Sequence, residues 1–116
     1  MVHWRAVGIG LVAYPATVLV ALATEPAAVL VAGVPPGVVA GYDAGNGMLA
    51  GGLHGTAVGV GCTLLTWLAL AAWLTWAPPA STAPGFGLSV VLLALYGLLV
   101  GIESILGGLA GGVVPR

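Results

Sequence analysis

Apolar residues in this chain do not alternate with polar ones; they come in long runs separated by short polar punctuation. No charge interrupts residues 6–23, with Trp4 and Arg5 just before them and Thr24-Glu25-Pro26 just after. Crossing a hydrocarbon layer ~30 Å thick takes about 20 apolar residues as a helix, because unpaired backbone groups in lipid cost several kcal/mol each. The spacing therefore predicts a first membrane span over 6–23, anchored at one surface by the Trp4 ring and the Arg5 head group. Pro15 lies inside it and frees a carbonyl one turn earlier, which permits a kink. The same run imitates a secretory signal, with Ala21-Leu22-Ala23 as the cleavage site, but with Met1 at its head it is expected to be a retained helix.

The second run, 27–42, is short and is interrupted by Pro35-Pro36. It is expected to cross where the bilayer thins or as a broken helix; a re-entrant loop is the alternative, and would reverse the topology of all that follows. Tyr42-Asp43-Ala44-Gly45-Asn46-Gly47 predicts a tight turn, with Asp43 and Asn46 as turn or capping residues. A third span covers 48–77, with Trp73 and Trp76 at its far end as an interfacial belt. Prolines 78, 79 and 84 mark a loop, and a fourth span covers 88–113 before Pro115 and Arg116. The expected fold is an all-α membrane protein, one integral domain over 1–116 with four transmembrane helices. Arg5 and Arg116 are the only basic residues of the Lys or Arg type, and an even number of spans lets both sit in the cytoplasm, as the positive-inside rule asks.

Glycine spacing sharpens this picture. Gly33, Gly37, Gly41 and Gly45 recur every four residues, and so do Gly47, Gly51, Gly55 and Gly59. In a helix each set shares one face and makes a groove where another backbone approaches closely. Gly97 with Gly101, Gly107 with Gly111, and Gly108 with Gly112 repeat the device in the last span. These ladders predict a glycine-packed bundle, either closed on itself or extended into an oligomer or a pore.

Composition and charge then remove whole classes of function. Of 116 residues, 60% are hydrophobic and 4% charged, against roughly 25% charged in soluble domains, so the main solvent is lipid. With no Lys and a formal charge of −1 there is no basic stripe to neutralise phosphates, and nucleic acid is not an expected partner. The single cysteine, Cys62, excludes an intrachain disulfide and reads as a small packed hydrophobe. No nucleophile-and-base motif, phosphate loop, haem pair or zinc spacing is present, so neither catalysis nor a metal or other cofactor is expected.

Two polar side chains lie within predicted spans. Glu103 is in the fourth, where an ionisable group costs ~3 kcal/mol or more to insert and so faces protein or water. Its stripe includes Leu99, Gly107 and Ala110, while Gly97, Gly101 and Ser104 share another face. His54, about 12 Å along the third span from Asn46, comes to a depth comparable with Glu103, about 20 Å from Arg116. A contact between His54 and Glu103 is one expectation; the other is His54 bonded to a backbone carbonyl or interfacial water, with Glu103 protonated inside the bundle. Trp67 and Tyr96 are read as packing residues, and Thr63 and Thr66 as bonded to their own helix.

Trp4-Arg5-Ala6, Ala40-Gly41-Tyr42, Gly51-Gly52-Leu53-His54-Gly55 and the closing Gly107-Gly108-Leu109-Ala110-Gly111-Gly112 resemble a family of small multi-pass membrane proteins of unknown function widespread in halophilic archaea. The likeness extends over most of the chain and implies an archaeal cell membrane; it implies no activity and brings no site residues. Small multidrug transporters also have four spans and an intramembrane Glu, but theirs is in the first helix, where this chain has no acid. The expectation is a structural or accessory membrane protein, self-associating or part of a larger membrane complex. The alternative is a small proton-coupled transporter or channel using Glu103.

Overall fold

A computed structural model describes residues 3–45, 47–76 and 86–115. Among them every regular element is helical: α1 (Trp4–Thr24), a 3-10 segment (Pro26–Val31), α2 (Val34–Ala44), α3 (Met48–Trp76) and α4 (Phe86–Val113). Three helices, Trp4–Thr24, Met48–Trp76 and Gly87–Val113, are long and apolar enough to cross a membrane. Burial has the order expected of a protein whose solvent is lipid. Leu19, Leu49, Leu68, Leu88 and Ile102 face outward, while Ala6, Ala40, His54, Glu103 and Ser104 are buried.

α1 continues through Pro15 and ends at Glu25, whose extended backbone (φ −130°, ψ 94°) is the conformation that a following proline imposes. The segment 27–42 is not one continuous helix; of the forms expected for it, it has the broken one. Pro35 and Pro36 lack the N–H groups that α-helical bonding would direct at the carbonyls of Val31 and Ala32. The segment therefore winds as a 3-10 helix to Val31, turns at Ala32 and Gly33, and restarts as α2 with a proline in its first turn, where no intrahelical N–H is needed.

Gly45 and Gly47 lie in the turn between α2 and α3, as the expected turn over 42–47 had them, and so do not continue the two ladders; Tyr42, Asp43 and Ala44, expected in the same turn, are instead the last residues of α2. Both glycines have left-handed φ (69° and 93°), which side chains rarely adopt. The Gly45 N–H closes α2 on the Gly41 carbonyl at 3.4 Å. Asn46, residues 77–85 and Arg116, on which the expected cap, proline loop and C-terminal charge depend, lie outside the described residues.

The second segment returns along α1. Gly10 of α1 faces the Pro36 carbonyl and Ala40, and Arg5 at the head of α1 meets Asp43 near the end of α2, at 3.6 Å. α3 runs parallel to α1, with His54 beside His3 and Thr66 beside Tyr14. α4 then runs antiparallel to α3 and parallel to α2. A Cβ added at Gly33, Gly37 or Gly41 would collide with the backbone of Val100, Ser104 or Gly108 respectively, and one at Gly107 or Gly111 with that of Val34 or Val38. On the α3 side, a Cβ at Gly59 would lie 2.6 Å from the Gly101 oxygen, and Gly51 and Gly55 leave equally little room below Gly108. α4 is thus approached by backbone on two faces at once.

Candidate functional site

The densest set of buried polar contacts lies where the second segment breaks. Gly33 is the residue before α2, and two consecutive side chains of α4 take up both its backbone groups: its N–H donates to Glu103 Oε1 at 3.2 Å, and its carbonyl accepts from Ser104 Oγ at 2.8 Å. Four residues earlier, in the 3-10 segment, the Val29 carbonyl accepts from the Tyr96 hydroxyl at 2.5 Å. All three bonds give backbone groups at or near the break a side-chain partner from α4. The expected faces of α4 are found only in part: Glu103 and Gly107 look toward the second segment and Gly97 and Gly101 toward α3, but Leu99 and Ala110, expected on the Glu103 stripe, are exposed, and Ser104, expected with Gly97 and Gly101, bonds the second segment. Ser104 sits between them, its backbone also closing on Gly55.

His54 is elsewhere. Its Nε2 accepts from the His3 N–H at 2.8 Å and its Nδ1 bonds the Ala50 carbonyl at 2.7 Å, so the neutral ring carries its proton on Nδ1. The rings of His3 and His54 stand edge to face with centroids 5.5 Å apart. The expected pairing of His54 with Glu103 is therefore not made; each has a backbone partner, because His54 sits in the second turn of α3 beside the start of α1, whereas Glu103 faces the break. His3, which sequence reasoning passed over, joins α1 to α3 through its main chain, and no side-chain pattern could have announced that.

Further along, the Tyr14 hydroxyl meets Thr66 Oγ1 at 2.6 Å, and Thr66 bonds its own helix at Cys62 (2.9 Å) as expected. Thr63 does not: its hydroxyl donates across to the Gly97 carbonyl at 2.7 Å. The missing side chain at Gly101 makes room for the Thr63 hydroxyl, and that at Gly97 for the Trp67 indole, whose N–H donates to the Ala94 carbonyl at 3.1 Å. Cys62 is a buried free thiol. Among the described residues every buried side-chain nitrogen and oxygen has a partner, and no cluster of three His, Cys, Asp or Glu residues could hold a metal. Of the anchors, Trp4 and Trp76 are largely exposed and Trp73 partly so.

On the outer face, α3 and α4 enclose an apolar groove of about 300 Å³, walled by Val60, Leu64, Trp67, Leu98 and Ile102 and floored by Gly59 and Gly101. Neither Glu103 nor His54 lines it. No family model matches the chain, and comparison with curated proteins and with solved structures found no match to either.

Proposed function

We propose that this protein is a small structural or accessory integral membrane protein of the cell membrane. It crosses four times, the second crossing being the broken segment 26–44, and it self-associates or serves as a subunit of a larger membrane complex with no catalysis of its own. The four-crossing topology draws support from Asp43 lying beside Arg5, which returns the second segment to the level at which α1 began. It sets Arg5 and Arg116 on the cytoplasmic side. The assignment to the archaeal membrane family that the glycine-rich segments resemble belongs to the same proposal.

One observation carries the accessory role. The α3–α4 groove is apolar and outward-facing, with a glycine floor that would let a partner helix approach, while Glu103 is engaged by the Gly33 N–H. Native mass spectrometry of the protein extracted in mild detergent tests it. A homo-oligomer or a defined complex, lost when Val60→Trp fills the groove from its exposed wall, is the expected result; a lone monomer in both cases would overturn the reading.

The transporter alternative rests on a different observation. A helix broken by prolines beside a buried carboxyl is an arrangement that membrane carriers use at mid-membrane. Proton flux into liposomes, present in the wild type and absent in Glu103→Gln, would establish that alternative in place of the accessory role.

A further inference from the structure

The mid-membrane hydroxyl cluster has spent its protons. Thr66 gives its proton to the Cys62 carbonyl, so Tyr14 must be the donor in the Tyr14–Thr66 bond, and Tyr96 gives its proton to the Val29 carbonyl. Each hydroxyl has only one proton to give. What remains at each of Tyr14 and Tyr96 is acceptor capacity. Tyr14 is midway along Trp4–Thr24, far from either water phase.

Two cavities reach this cluster from the lipid side. One, of about 400 Å³ between α1 and α3, is walled by Pro15, Val18, Leu65 and Ala69 and has Tyr14 and Thr66 as its polar members. The other, of about 210 Å³ between α3 and α4, shares Thr66 and Ala69 with the first and adds Tyr96. Apolar walls with a few convergent polar groups are the usual makings of a small-molecule site, and the larger cavity falls within the size range of such sites.

We infer that the α1–α3 cavity binds an apolar alcohol drawn from the bilayer, its chain lying against Pro15, Val18 and Leu65 and its O–H donating to the Tyr14 oxygen. A ligand that brought only acceptors, such as an ether or a ketone, would find no free proton to bond. The site is separate from the α3–α4 groove and requires only that the chain lie in lipid, so it stands or falls independently of the accessory role.

The test uses the full chain in phosphatidylcholine liposomes and two photoreactive probes, a long-chain primary alcohol with a mid-chain diazirine and the methyl ether of the same alcohol. Labelled peptides are quantified by mass spectrometry. The alcohol is expected to label the walls of the α1–α3 cavity about fivefold more than the ether, the advantage of one hydrogen bond. Tyr14→Phe should bring that ratio to about one, and Ala69→Trp, a substitution at an exposed position that fills the cavity mouth, should abolish labelling by both probes. Equal labelling by the two probes in the wild type overturns the inference. So does an alcohol preference that survives Tyr14→Phe, or labelling untouched by Ala69→Trp should the Tyr14 variant fail to fold.

Discussion

The two ends of the α3–α4 pair are built from opposite materials. From Gly51 to Cys62 and from Val100 to Gly112 the facing positions are glycine, serine and cysteine, and the two backbones touch. Beyond Trp67, the same helices carry Leu68, Leu74, Trp76, Leu88, Leu92 and Leu95, large side chains that are exposed. In water the leucine end would be the core. In lipid, burying leucine gains little over leaving it among acyl chains, so close contact goes to the residues that obstruct it least. α2 joins the bundle at the glycine end, where Gly37 and Gly41 admit the α4 backbone.

The strongest way to break this comparison is to put the same side chain at both ends. At Gly108 a Cβ would meet the Gly51 carbonyl and lie 2.6 Å from the Gly55 Cα, backbone that cannot swing aside; at Gly87 it would meet nothing within 4 Å. Gly108→Val is expected to lose at least about 3 kcal/mol, at or above the upper range for overpacking. Gly87→Val should leave stability within about 0.5 kcal/mol. Denaturant titration of helicity in detergent reads both, and equal losses would remove the distinction between the ends.

Much of this fold was legible in the chain because lipid simplifies the code. The runs at 6–23, 48–77 and 88–113 announce helices by length alone, and they appear as Trp4–Thr24, Met48–Trp76 and Phe86–Val113. Pro35-Pro36 signalled an interruption, but placing the turn at Ala32 and Gly33 required knowing which carbonyls lose their donors. Glycine spacing ran on through Gly45 and Gly47, since periodicity carries no information about the sign of φ. The polar partners were the least legible part. Whether Glu103 meets His54 or Gly33 depends on how each helix is rotated about its axis, and a backbone N–H such as that of His3 or Gly33 has no signature in the sequence. The Ser immediately after Glu103, opposite a proline-broken segment, was the available clue to the Gly33 clamp.

Smaller effects separate the packed end from its polar seams. His54→Ala removes the acceptor of the part-buried His3 N–H and the ring packed beside it, and is expected to cost about 1–2 kcal/mol. Glu103→Leu, which strands the Gly33 N–H, should cost a similar amount, whereas Glu103→Gln keeps an acceptor and should cost less than half as much. Since these two sites have separate partners, the double variant His54→Ala with Glu103→Leu should lose the sum of the single losses within about 0.5 kcal/mol. A larger discrepancy would show the two to be coupled after all. Ser104→Ala and Tyr96→Phe each remove one interhelical bond to a carbonyl, worth on average about 0.6 kcal/mol in a membrane protein.

The smallest effect is expected at the ion pair that closes the glycine end, although it is the most visible charge contact in the fold. Arg5 and Asp43 approach only to 3.6 Å, and the Arg5 side chain is 79% exposed, so solvent screens the attraction and the long side chain loses freedom in making it. Arg5→Ala should therefore change stability by no more than about 0.5 kcal/mol. Asp43 has interactions besides Arg5, so Asp43→Ala alone would overstate the pair. A double-mutant cycle isolates it, and a coupling that vanishes in high salt is the expected outcome. A coupling above about 2 kcal/mol, unaffected by salt, would mean that charge and not close backbone contact holds α2 against α1 at this end.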